Sequence, residues 1–288
     1  MSGARGDPLA GLLRRLDLQA LDRDLFLGDP GEGTGRLFGG LVASQSVIAA
    51  GRTVERDRHL HSLHGYFLRP GRHDAPIRFV VDRIRDGRTF TTRRVKAHQA
   101  GEAIFNMSAS FAIPEEGISH QDPMPEAPGP DGLPDWEELR ARALNDPSLR
   151  RSDSPVEVRL CDPPIGAATA GASPRQRNWI RVRGTLPEDP LVHTAVLVYA
   201  TDRTLLSTAA RPHGLRWGQR MAASLDHAVW IHRPVHLDGW LLYTSESPVA
   251  HAGRGMVFGG LYYPERGLRV ASVAQEGVIR FARRPAPG

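Results

Sequence analysis

The sequence predicts an α+β protein built from two tandem copies of one unit, each a mainly apolar helix wrapped by a curved antiparallel sheet. Three observations predict it. First, "LHGYFLRP" at Leu63–Pro70 returns in looser form as "LDHAVWIHRP" at Leu225–Pro234, both with an Arg-Pro ending. Second, the landmarks keep order and spacing: Arg69 to Arg233 is 164 residues, and Gly87 to Gly253 and Gly101 to Gly267 are each 166. Such self-similarity is the mark of a duplicated unit. Third, an apolar helix pattern precedes each echo, "GGLVASQSVIAAGRTV" in the first copy and "PLVHTAVLVYATDRTLL" in the second. A helix that apolar has to be buried, and a sheet curved around it does so.

The elements follow in order. Leu12, Leu13, Leu16 and Leu21 stand at helical spacing among Arg and Asp, so the N-terminus predicts an amphipathic helix, not a secretory signal. The first apolar helix leads into strands such as "IRFVVDRIRD" and "TFTTRRVKAHQAG", where apolar and polar residues alternate. The turns "RDGR", "HQAGE", "HAGRG" and "PERGL" carry glycine where a positive φ is useful. Each Arg-Pro ends a strand because proline cannot extend a central ladder. "PEEGISHQDPMPEAPGPDGLPDWEEL" reads as a linker, with "PDWEELRARALND" as a short helix into the second copy. "SPVEVRLCD" would open the second sheet, and Pro190 would open its helix. A helix enclosed in this way by a meander is the hotdog arrangement. The expected architecture is therefore a double hotdog, with an N-terminal domain over 1–115, a linker over 116–150 and a C-terminal domain over 151–288.

Composition narrows the function classes. The chain has 288 residues, 40% hydrophobic and 24% charged, as expected of a globular protein. No apolar run reaches the length of a membrane span. Cys161 is the single cysteine, so no internal disulfide can form and a cytoplasmic setting is expected. The C-terminal "RRPAPG" is no peroxisomal address. The net charge of +5 comes almost wholly from arginine, Lys96 being the only lysine. These arginines are scattered and aromatics are few, so no nucleic-acid partner is expected; a small polyanionic ligand suits arginine forks better.

Several chemistries lack their motif. There is no phosphate-binding G-x-x-x-x-G-K-[ST] loop, no G-x-S-x-G elbow and no paired C-x-x-C. His59 with His61, and His232 with His236, lack carboxylates at H-E-x-x-H spacing and read as ordinary histidines; no metal or cofactor is expected. "GTGRLFGG" runs straight into a helix, so Gly39 and Gly40 are candidate backbone donors to an oxyanion; a plain helix-start turn is the competing reading.

The motifs "LFGGLVASQSVIAA", "HSLHGYFLRPG", "RDGRTFTTRRV", "YATDRTLL", "LDHAVWIHRP", "WLLYTSESP" and "ASVAQEGVIR" together resemble the acyl-CoA thioesterase II family, from about Leu25 to Arg280. The resemblance implies a double hotdog that hydrolyses fatty acyl-CoA to free acid and CoA. It further implies a water held by an Asp, a Thr or Ser, and a Gln, which fall here on Asp202, Ser224 and Gln275. Many relatives carry Thr where Ser224 stands. Asp202 would act as general base, while Ser224 and Gln275 would aim the water's lone pair. By the duplication offsets, Ser224 pairs with Leu60 and Gln275 with Ala109, so one water-activating site is expected per chain. A homodimer or homotetramer is expected, because hotdog sheets leave edges that pairing can cover.

Two rivals stand beside this reading. Asp226-His227 or His64 could serve a hotdog hydratase, although the G-D-x-N-P-x-H pattern is absent and structural hydrogen bonding at a strand start is the plainer account. A non-catalytic acyl-CoA-binding protein is the second. Arg69 and Arg233 read as structural, with contacts to CoA phosphates as the alternative.

Overall fold

Among the described residues thirteen strands, most of them alternating apolar and polar residues, join in one antiparallel sheet. The structure, a computed structural model, describes residues 7–146, 154–163, 171–214 and 220–281. The expected linker boundary at 150/151 and the C-terminal "RRPAPG" lie outside these residues. The strands of the first half are β1 (Gln19–Asp22), β2 (Leu25–Gly28), β3 (His59–Phe67), β4 (Ile77–Asp86), β5 (Phe90–Gln99) and β6 (Glu102–Ala112). Those of the second half are β7 (Val156–Leu160), β8 (Arg175–Val182), β9 (Arg220–Ser224), β10 (Asp226–Ile231), β11 (Leu241–His251), β12 (Arg254–Tyr263) and β13 (Leu268–Phe281).

Their order across the sheet is β1-β2-β4-β5-β6-β3-β10-β13-β12-β11-β8-β7, with β9 also on β13. The order is symmetric about the β3–β10 seam, as duplication requires. Strands β9 and β10 together take the place of β3. Leu60 stands opposite Phe111, and Ser224 opposite Gly277. One residue later both registers slip, after Leu60 in the first copy and at Leu225 in the second. A bulge thus recurs at the same place in each half, and bulges re-aim the side chains around them. The hairpin turns Ala100-Gly101 and Ala252-Gly253 have positive φ at both central residues, which is why glycine follows alanine there.

Two helices lie against the sheet, α2 (Gly39–Gly51) and α4 (Pro190–Thr201), after α1 (Pro8–Leu16) and α3 (Trp136–Leu144) in the first half and the linker. Every residue of α2 from Gly40 to Ala50 is buried, as are His193 to Thr201 of α4. The two run antiparallel. A Cβ on Gly40, at the start of α2, would sit 2.8 Å from the Tyr199 carbonyl near the end of α4, and one on Gly51 would sit 2.4 Å from Leu191.

Two local expectations are corrected. The amphipathic helix stops at Leu16; Leu21 belongs to β1 and is 46% exposed, because Gln19–Asp22 pairs with β2 instead of continuing the helix. The helix expected over "PLVHTAVLVYATDRTLL" ends at Thr201, and a separate 3-10 helix covers Leu205–His213. The short helix expected over "PDWEELRARALND" forms as α3 and is packed: Asp135 caps it, Trp136 is buried, and Arg183 and Arg203 pair with Asp135 and Glu137.

Burial of imidazoles gives the fold a pH signature. His227 and His193 are buried, and desolvation lowers both below the ordinary 6.5, against smaller raising effects from nearby carboxylates. The unfolded chain therefore binds more protons just below pH 6.5, so folding stability is full above that pH and falls as the pH drops through it. Urea midpoints measured across this range will decrease toward acid; a flat profile would contradict burial of the neutral rings.

Candidate active site

The end of α4 carries the key carboxylate. Asp202 is the C-cap of α4 and is 9% exposed. A carboxylate at a helix C-terminus sits in an unfavourable field. The antiparallel packing offsets this, because the N-terminus of α2 arrives beside it: a Cβ on Gly39 would lie 3.0 Å from Asp202 Oδ2. From the sheet, Ser224 Oγ donates to Asp202 Oδ1 at 3.1 Å and Gln275 Nε2 donates to the same oxygen at 2.7 Å. Both side-chain donors thus converge on Oδ1. The three residues expected from the sequence are brought together, although 73 residues separate Asp202 from Gln275.

Gln275 is fully buried, and its Oε1 has no hydrogen-bond partner among the described residues. An unfilled buried acceptor asks for an explanation, and a water or substrate is the usual one. Behind the amide stand two residues to which the sequence gave no role of this kind. His227 Nδ1 lies 3.1 Å from Gln275 Nε2, and His227 Nε2 lies 2.9 Å from Thr201 Oγ1. Alternation along β10 separates the Asp226-His227 pair: Asp226 Oδ1 instead accepts from the Glu276 backbone at 2.6 Å, so the pair does not act as one unit. Tyr243 fixes the end of α4, its hydroxyl donating to the Thr201 carbonyl at 3.0 Å.

The first copy carries none of these groups. By register, Leu60 stands for Ser224, Leu63 for His227 and Ala109 for Gln275. By helix end, Gly51 and Arg52 stand for Thr201 and Asp202. Arg52 there is structural, bonded to the Leu18 carbonyl at 2.5 Å and to Asp17 at 2.7 Å. The polar cluster is thus confined to one half.

Asp202 and Ser224 line a cavity of about 490 Å³ formed where the two halves and the linker meet. Its apolar walls include Leu37, Phe67 and Phe105 from the first half, Trp136 from α3, and Leu206 and Leu225 from the second. Both copies and the linker supply walls, because the seam sets the two helices side by side. Of the two candidate oxyanion donors, Gly39 lines the cavity, while Gly40 lies against α4. The first turn of α2 receives no side-chain cap among the described residues, so its N–H groups are free of that competitor. Arg36, Arg69 and Arg203 stand around the cavity. Arg69 is tied to Glu102 at 2.9 Å and the Ala103 carbonyl at 2.9 Å, and Arg233 to the Arg269 carbonyl at 2.5 Å, so both have structural partners. Arg203 pairs with Glu137, and burial pulls its guanidinium down to about 10. A larger hollow of about 610 Å³ over β8, β11 and β12 has a more polar lining, which includes the ion pairs Arg177–Asp162 at 2.7 Å and Arg175–Glu246 at 3.5 Å.

Comparison with known proteins places the chain. The family described as "Acyl-CoA thioesterase" matches residues 151–278, and the family described as "Acyl-CoA thioesterase N-terminal domain" matches 29–112. Mouse acyl-coenzyme A thioesterase 8 is 39% identical over 96% of this chain and 92% of its own. Acyl-CoA thioesterase 2 of Haemophilus influenzae is 34% identical over 96% and 99%. The crystal structure of the acyl-CoA thioesterase II TesB2 from Mycobacterium marinum is similar with a TM-score of 0.78 and 39% identity, covering 96% of this chain and all of that one. A hot dog fold protein from Alicyclobacillus acidocaldarius, 19% identical, has a TM-score of 0.78 and shares the fold.

Proposed function

Because the chain belongs to the acyl-CoA thioesterase family and is a thioester hydrolase, we propose that it is a double hotdog cleaving fatty acyl-CoA with a single water activated by Asp202, Ser224 and Gln275. The observation that carries this reading is the convergence of Ser224 and Gln275 on Asp202 Oδ1, in a carboxylate that itself lines the cavity; Oδ2 is then the oxygen that takes the proton. Water attacks the thioester carbonyl carbon as Asp202 accepts its proton. The oxyanion meets the Gly39 end of α2, with Gly40 as the neighbouring donor in the same first turn. Collapse breaks the C–S bond, releasing the acid, and the proton passes from Asp202 to the departing CoA sulfur. No acyl-enzyme forms.

The apolar walls suit an acyl tail, and the exposed Arg36 beside them suits a CoA phosphate. We keep the domain limits 1–115, 116–150 and 151–288, a homodimer or homotetramer, a role in fatty acid metabolism and a cytoplasmic setting as parts of this proposal. The last rests on Cys161 being the single cysteine, which leaves no internal disulfide to form.

The test is free-thiol release from acyl-CoAs of graded chain length, run against an enoyl-CoA hydration assay. Release of one thiol per acyl-CoA consumed is expected; consumption without thiol would establish a hydratase, and binding without turnover a sensor. Ser224→Ala removes one orienting hydrogen bond and is expected to lower kcat about tenfold. Unchanged kcat would remove Ser224 from the mechanism.

A further inference from the structure

We propose that His227 is a positioning residue whose unprotonated Nδ1 locks the side-chain amide of Gln275, holding Nε2 on Asp202 Oδ1 and reserving Oε1 as an acceptor for the reacting water. The inference rests on the water-activation reading above and extends it by one residue.

The proton positions follow from the geometry alone. A carboxylate oxygen only accepts, so the Gln275 atom 2.7 Å from Asp202 Oδ1 must be the NH2 nitrogen. That nitrogen only donates, so His227 Nδ1, 3.1 Å away, must accept and carries no proton. A neutral ring then bears its proton on Nε2. Thr201 Oγ1, 2.9 Å from Nε2, therefore accepts, and its own hydrogen goes to the Val198 carbonyl at 3.0 Å. The relay ends on helix backbone, so no rotor in it is free to reverse. Burial supports the neutral ring, since His227 is fully buried and desolvation lowers its protonation range. Asp202 and Asp226 act in the opposite sense, with smaller effect.

The first copy supplies the control. Leu63 occupies the position of His227 there, opposite Ala109, and both are buried. A histidine is therefore not what this position of the fold requires; it accompanies the glutamine.

The tautomer is tested directly on the full chain, labelled with ¹⁵N at its 12 histidines. Long-range ¹H–¹⁵N spectra would identify His227 by the signal missing from His227→Leu. A neutral ring protonated on Nε2 at neutral pH is expected; a proton on Nδ1, or an imidazolium, would overturn the proposal. Kinetics give the second arm. His227→Leu is expected to lower kcat at least about tenfold with KM changed less than about twofold. His227→Asn sets a side-chain oxygen near the Nδ1 position and is expected to recover most of that loss. Equal losses in both variants, or full kcat in His227→Leu, would reduce His227 to packing. The tautomer is read without substrate, so it stands apart from the thioesterase reading. Active Asp202→Asn would sink the water mechanism alone, and an Nδ1 proton beside inactive Asp202→Asn would sink only the positioning role.

Discussion

Asp202→Asn is expected to lower kcat for acyl-CoA hydrolysis about 10³-fold while leaving the fold intact, the loss typical of removing a general base. The amide is isosteric and buried to the same degree, so packing at the end of α4 is preserved. What changes is chemistry: an amide takes no proton from water, and its NH2 would oppose the donors from Ser224 or Gln275 now directed at Oδ1. CoA release and a urea melt on the same preparation separate the two effects. A rate within twofold of the parent would remove Asp202 as the base.

Gly40→Val carries the largest expected effect on stability, about 3 kcal/mol by overpacking. Its Cβ would lie 2.8 Å from the Tyr199 backbone carbonyl and 2.6 Å from the Phe38 ring. The ring can turn, but the carbonyl belongs to α4 and moves only if the helices part. Parting would also withdraw the N-terminus of α2 from Asp202, so activity is expected to fall together with the urea midpoint. Gly39→Ala provides the contrast. Its Cβ would meet the Phe67 ring at 2.8 Å and Asp202 Oδ2 at 3.0 Å, so it intrudes on the site and not on the helix pair. It is expected to reduce kcat with little change in stability. A parental midpoint for Gly40→Val would show that the helices do not pack as closely as described.

Much of this was legible because its signals are local. Alternation marked the strands, the apolar runs marked α2 and α4, and paired Gly turns marked the hairpins. The family resemblance added Asp202, Ser224 and Gln275, which no spacing rule would have chosen. The first-half hairpin of β1 and β2 went unread because Gln19–Asp22 is exposed throughout and shows no apolar face. His227 was visible only as half of an Asp-His pair. Thr201, one residue before Asp202, carried no signal, since a threonine at a helix end usually bonds its own backbone.

By itself the sequence determined the repeated pattern of strands and turns and the two buried helices. These depend on residue spacing and type, which periodicity records directly. Only the tertiary structure decided that α2 and α4 run antiparallel, that Gly39 therefore meets Asp202, that α3 walls the cavity, and that His227 stands behind Gln275. Those relations join groups tens of residues apart through the packing of rigid elements. Their energy lies in contacts between segments, and no window of sequence contains both partners.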